Sequence, residues 1–343
     1  MALTFFGFQS VIMSIGKECA VIGYGSWATA IVKILTENGV KVFWHVLNEE
    51  VASSIQNDGY NCKYLRDVDL CTSLIEVDSD INRVVDSAEI VIVAMPSAFI
   101  KSVFAQLERS LSDKILFSAV KGIIPEDYIT VNDYFVRYHA ADAMRMGVVT
   151  GPSHAEEVGL DRLSYLTVVS PNEEVQKIMG SMIERDYIKV NYSCNVEAVE
   201  YAAVMKNIYA LAVGLASGLG YGDNFISVLI ANCAAEMGRF IEFYGAEQGD
   251  MYASACMGDL LVTCYSNYSR NRRLGLLIGR GCTVKSAMNE MTMVAEGYYA
   301  AKCIRHAAAH EQVAMPIADM VYEVLYENRS PRRRMRELTE LLK

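Results

Sequence analysis

The chain has 343 residues, 52% hydrophobic and 21% charged, a globular composition long enough for one or two domains with a sizeable core. Its formal net charge of −10 argues against nucleic acid or an anionic membrane as a broad partner, so an anionic substrate would need a local basic pocket. Nine cysteines, an odd number without a CxxC pair, argue against a disulfide framework or a structural zinc site and for a reducing, cytoplasmic compartment.

Residues 1–17 lack the positive start of a signal peptide and read as an extension before the first strand, with Met13 as an alternative start. Residues 19–23 (CAVIG) then form a short buried strand. Gly23-Tyr24-Gly25-Ser26-Trp27-Ala28 supplies G-x-G-x-x-A, and residues 29–38 continue as a helix with Gly39 past its end. The chemistry needs this order. Gly23 makes the tight turn, Gly25 lets the backbone approach a pyrophosphate, and Ala28 packs the helix on the sheet. The helix N-terminus faces the phosphate charge. Further strands are expected at residues 40–46, 89–95, 114–119 and 146–150, with helices between, such as 97–110. This alternation predicts a doubly wound parallel sheet of Rossmann type over residues 18–192. Ligands bind beyond the carboxyl ends of such strands. Gly23 to Gly25, Pro96-Ser97, Lys121-Gly122 and Gly151-Pro152-Ser153 stand there.

After strand two the sequence reads WHVLNE (44–49), with no arginine for a 2′-phosphate. NAD is therefore favoured, with NADP possible. Asn48 or Glu49 could reach the ribose hydroxyl, whereas His45 reads as a surface histidine.

From about residue 193 to 343 the pattern is all-helical, with helices expected over 196–220, 225–244, 270–279, 283–289, 297–311 and 316–326. The first carries Lys206-Asn207 in an apolar body, followed by small residues that allow close approach. The ordinary reading is a snorkelling lysine. Alternatively, burial lowers its pKa and makes it an acid or base near neutrality. Asp259 could be its counter-charge. Thr263, Arg270 and Asn271 suit a phosphate, although Ser269 to Asn271 also reads as a helix N-cap with a surface arginine. Glu296 reads as a capping acid or a ribose contact. His306 and His310 lack a third metal ligand, and His139 and His154 lack a nucleophile partner. The 17 methionines and Tyr298-Tyr299 read as core or interface. Residues 329–336 read as the solvated face of a last helix begun by Ser330-Pro331. No apolar run reaches the ~20 residues of a membrane span.

Six stretches now fall in one order: GYGSWATA (23–30), VKGI (120–123), GPSHAEEV (151–158), VMKNIYALAVGLASGLGYGDN (204–224), GDLLVTCYSNYSRNRRLG (258–275) and VAEGYYAAK (294–302). In them the chain resembles bacterial-type NAD(P)-dependent glycerol-3-phosphate dehydrogenase over nearly its whole length. The resemblance implies Lys206 as catalytic acid/base, Lys121 in contact with cofactor and substrate, Gly151 and Ser153 lining the substrate, and Ala155 the cofactor. It implies Asp259, Ser269, Arg270 and Asn271 as substrate contacts, with Arg270 also near the cofactor. Ser26, Trp27, Val294 and Glu296 match cofactor contacts, beside Gly23 and Gly25. It implies reversible hydride transfer between NAD(P)H and dihydroxyacetone phosphate, supplying glycerol 3-phosphate for phospholipid synthesis. A homodimer is expected because symmetric dimers are commonest. The family often has an arginine where Val46 or Leu47 stands, which agrees with the ribose reading. Alternatives are a hydroxyacid or 6-phosphogluconate-type dehydrogenase and a non-catalytic nucleotide sensor. The adjacent Lys206-Asn207 and the Ser269 to Asn271 stretch favour the glycerol phosphate reading over the first. Retention of Lys121, Lys206, Asp259 and Arg270 speaks against the second.

Overall fold

The computed structural model describes residues 17–247, 249–291 and 294–343. The expected N-terminal extension and the start at Met13 lie outside the described residues, apart from Lys17. The chain divides into two compact units. The first holds the residues up to Met95, Phe99–Val120 and Val131–Val196, and the second holds Pro96–Ala98, Lys121–Thr130 and Glu197–Lys343.

The first unit is built on eight strands: β1 (Glu18–Ile22), β2 (Lys41–His45), β3 (Ile75–Asp78), β4 (Ile90–Val93), β5 (Ile115–Ser118), β6 (Met146–Thr150), β7 (Ser164–Val169) and β8 (Ile188–Ser193). Their order in the sheet is β3-β2-β1-β4-β5-β6-β7-β8. β4 is a continuous IVIV run and β5 reads ILFS, both wholly buried, as strands covered on both faces require. β1 pairs in parallel with β2 on one side and β4 on the other, with Ile22 opposite both His45 and Val93. The chain therefore reverses its direction of winding at the end of β1, which is the switch point where such sheets bind ligands.

Several features depart from the sequence reading. β6 and β7 pair antiparallel, so the sheet is mostly and not wholly parallel. β3, β7 and β8 add to the expected strands; IEVD and IKVNYS do alternate apolar and polar residues, but β3 is only four residues long and both lie at the edges of the sheet. His45 is a correction: it is buried, with Nε2 3.2 Å from the Ser79 carbonyl, and desolvation lowers its pKa.

The second unit is helical. Its axis is the helix Val196–Leu219, rich in Ala, Val and Leu and buried along most of its length. Glycines on two helices explain a close crossing. A Cβ on Gly214 would lie 2.1 Å from the Arg272 carbonyl oxygen, and one on Gly275 would lie 2.2 Å from that of Leu211. The helix Arg270–Gly279 thus packs backbone to backbone on Val196–Leu219, which no larger residue permits. By length and hydropathy (24 residues, mean hydropathy 1.4) Val196–Leu219 would also qualify as a membrane span, although 83% of that window is buried. It holds no uninterrupted apolar run of that length, since Glu197, Glu200 and Lys206 fall within it. The last helix, Pro331–Thr339, is capped by Ser330, and Arg333 and Arg334 both pair with Glu337.

Candidate active site

The second unit gathers two lysines on one carboxylate. Lys206 Nζ lies 2.5 Å from Asp259 Oδ1, and Lys121 Nζ lies 3.2 Å from Asp259 Oδ2. The Lys206 side chain is 6% exposed and that of Asp259 2%, so this lysine does not snorkel. Asp259 opens the helix Asp259–Tyr265, directly after a π-helical turn, Ser254–Gly258. π turns recur where function requires an irregular placement. Burial drives the Lys206 pKa down. Asp259 pulls it up, Lys121 pushes it down again, and it settles at about 7. Burial alone would raise the Asp259 pKa, but the two lysines outweigh it and hold it below the ordinary value. The result is an ionised aspartate beside an ammonium group poised to give or take a proton near neutrality.

Asn207, next on the helix, is the centre of a framework. Its Nδ2 donates to the Lys121 carbonyl at 2.8 Å, and its Oδ1 accepts from Asn271 Nδ2 at 2.7 Å. Asn271 Oδ1 in turn accepts from the Gly297 amide at 2.9 Å. Sequence reasoning cast Asn271 as a phosphate donor; here both ends of its amide bind neighbouring elements. Ser269 Oγ caps its helix by accepting from the Arg272 amide, which is the structural reading of that stretch. Thr263 Oγ1 donates to the Asp259 carbonyl at 2.6 Å. Arg270 is exposed at the start of the helix Arg270–Gly279 and reaches the Val294 carbonyl at 3.4 Å.

Glu296 begins the helix Glu296–Glu311 but does not serve only that helix. Its Oε1 accepts from the Ser97 amide at 2.8 Å and its Oε2 from Ser97 Oγ at 2.6 Å. Burial raises its pKa against those two bonds. A Cβ on Gly122 would fall 2.5 Å from Glu296 Oε2, so glycine beside Lys121 is dictated by this contact. The roles of Ser97 and Gly122 were not legible, since their partner is far along the chain. His306 stacks on Tyr128 at 4.5 Å, and among the described residues no group of three His, Cys, Asp or Glu could hold a metal.

In the first unit the glycine turn fits a dinucleotide. Gly23 has φ +113°, and a Cβ there would lie 2.3 Å from the Ala94 carbonyl oxygen, so the fold itself requires glycine. Gly25 differs. Its φ is −74°, and no atom would lie within 4 Å of an added Cβ. The protein leaves space there, in front of the helix Ser26–Glu37, as an approaching pyrophosphate demands. Ser26 and Trp27 open that helix, and Ala28 is buried against the sheet. Gly151 follows β6 with φ +117°, Ser153 Oγ donates to the Gly151 carbonyl at 3.0 Å, and Ala155 begins a short helix. Gly25→Ala is expected to leave the melting temperature close to wild type and to weaken dinucleotide binding about tenfold or more. Calorimetric titration alongside thermal melting separates the two.

Residues 18–176 match the family model described as NAD-dependent glycerol-3-phosphate dehydrogenase N-terminus, and residues 195–336 match that of its C-terminus. A glycerol-3-phosphate dehydrogenase (NAD(P)+) of Staphylococcus haemolyticus is 34% identical over 313 residues, covering 91% of this chain and 94% of that protein. One from Staphylococcus saprophyticus is 36% identical over 318 residues, with 91% and 95% covered. The crystal structure of glycerol-3-phosphate dehydrogenase from Coxiella burnetii is similar with a TM-score of 0.87 at 26% identity, covering 94% of this chain and 99% of that one.

Proposed function

The chain belongs to the NAD-dependent glycerol-3-phosphate dehydrogenase family, and from that premise we propose that it interconverts dihydroxyacetone phosphate and glycerol 3-phosphate with NAD(P)H. The first unit is the dinucleotide-binding domain and the second the substrate and catalytic domain. When bound, the cofactor supplies the hydride to the carbonyl carbon. Lys206 gives the proton to the carbonyl oxygen in reduction and takes it back in oxidation. Lys121 and Asp259 set its charge, and Asn207 holds the Lys121 backbone in place. Arg270, with Ser269 and Asn271 beside it, is the phosphate end of the substrate site, so binding energy remote from the carbonyl positions it. Gly151 and Ser153 are further substrate contacts. Gly23, Gly25, Ser26, Trp27, Lys121, Ala155, Arg270, Val294 and Glu296 hold the cofactor, Glu296 through the Ser97 turn that it anchors.

The observation that carries this reading is the buried Lys206–Asp259–Lys121 cluster, a proton donor tuned to neutrality in a chain with a dinucleotide turn. Supply of glycerol 3-phosphate to phospholipid synthesis, a cytoplasmic location and a homodimer complete the proposal. The nine free cysteines suit a reducing compartment. The test is oxidation of NADH and of NADPH with dihydroxyacetone phosphate, with 6-phosphogluconate plus NAD+ as control. Turnover of the first substrate and not the control is expected. No turnover with either cofactor, despite measured binding, would overturn it.

A further inference from the structure

Beyond β2, where the arginine expected for a 2′-phosphate is missing, the fold brings in a cation from elsewhere. Lys63 Nζ lies 2.8 Å from Glu50 Oε2 and 3.4 Å from Asn48 Oδ1. Asn48 caps the helix Glu49–Asp58 that follows β2, so Lys63 stands beside the segment that faces a cofactor ribose in this fold. Its placement is built, not incidental. Asn61, fully buried, donates through Nδ2 to the Tyr24 carbonyl at 3.0 Å and to Thr29 Oγ1 at 2.9 Å. Its Oδ1 accepts from the amides of Lys63 and Tyr64, both at 3.1 Å. The Tyr64 ring meets the ring of Tyr24 edge-on at 6.3 Å. The Cys62 amide donates to Ser54 Oγ at 3.2 Å, which ties the same loop to the helix after β2. The loop carrying Lys63 is thereby stapled to the G-x-G turn on one side and to that helix on the other.

We propose that Lys63 and Glu50 form an exchangeable pair that decides between the 2′-hydroxyl and the 2′-phosphate of the dinucleotide. The proposal rests on the dinucleotide reading above and deepens it. Lys63 and Glu50 side chains are 39% and 71% exposed. An ion pair this open contributes little, so an incoming phosphate can take Lys63 from Glu50 at small cost. A phosphate dianion offers the lysine a stronger, charge-assisted partner. With a 2′-hydroxyl, the pair stays closed and Glu50 remains the acceptor on hand. Asn61 fixes the backbone, so the selection rests on one flexible four-carbon stem and not on loop movement.

The test uses ADP-ribose and 2′-phospho-ADP-ribose, which lack the nicotinamide, in calorimetric titration of the full chain. Wild type is expected to bind both. Lys63→Met should weaken 2′-phospho-ADP-ribose about tenfold and leave ADP-ribose within about twofold. Glu50→Gln should shift the ratio the other way, because it frees Lys63 and removes an opposing charge. Thermal melting of both variants should match wild type, since both side chains lie on the surface. Equal weakening of the two ligands by Lys63→Met, or no change in their ratio, would overturn the assignment. Failure of wild type to bind either ligand would instead remove the dinucleotide reading, and this proposal with it.

Discussion

Lys206→Ala is expected to lower kcat for dihydroxyacetone phosphate reduction about 10²–10⁴-fold, the ordinary contribution of a general acid, while NADH still binds. The physical reason is the cluster geometry. Lys206 Nζ lies 2.5 Å from Asp259 Oδ1, and it is the ammonium whose pKa burial brings to about 7. Lys206→Arg is the sharper variant. A guanidinium keeps the positive charge beside Asp259, yet it holds its proton at any working pH. Charge alone would leave Lys206→Arg active; proton transfer requires it to be nearly as slow as the alanine variant. Stopped-flow or steady-state kinetics, paired with NADH titration, distinguishes these.

The second large effect belongs to Asp259→Asn. Asp259 is buried with a lysine on each carboxylate oxygen, at 2.5 and 3.2 Å. The amide is nearly isosteric but leaves two ammonium groups facing each other without an anion. Breaking a buried pair in this way costs about 3–5 kcal/mol, so the melting temperature should fall clearly. The sign of the kinetic effect follows from the same charges. Asp259 raises the Lys206 pKa and Lys121 lowers it. Removing the aspartate therefore moves the Lys206 titration to lower pH, and reduction should retain more activity in acid than at neutrality. A melting temperature and a pH profile both equal to wild type would mean that the aspartate does not set the charge of this lysine.

The sequence carried the central features because they are local or strongly patterned. The strand–G-x-G-x-x-A–helix unit is contiguous, and β4 is an unbroken apolar run. The helix Arg270–Gly279 shows its cap, Ser269, one residue ahead of its start. What escaped is made by side chains meeting across long separations. Glu296 holds Ser97 from 199 residues away, and the glycine requirement at Gly122 follows only from that contact. Asn61 joins Tyr24 across 37 residues, and so places a lysine near β2 that the local sequence after β2 does not contain. Asp259–Tyr265 was not read as a helix because its entry is a π turn, whose spacing does not match the helical period. Residue type alone marks Asn271 as a ligand donor, and only the packing of three helices shows that one of its amide hydrogens goes to Asn207 and that its oxygen accepts from Gly297.

The most direct test of Lys206 as the acid/base is the pH dependence of kcat in both directions. Reduction uses the protonated amine, so its rate should fall as pH rises through about 7; oxidation of glycerol 3-phosphate uses the neutral amine and should rise over the same range. Both limbs should move to lower pH in Asp259→Asn, and disappear from the residual activity of Lys206→Arg. Limbs that stay in place in both variants would contradict the account, because the group titrating near neutrality would then be something other than Lys206.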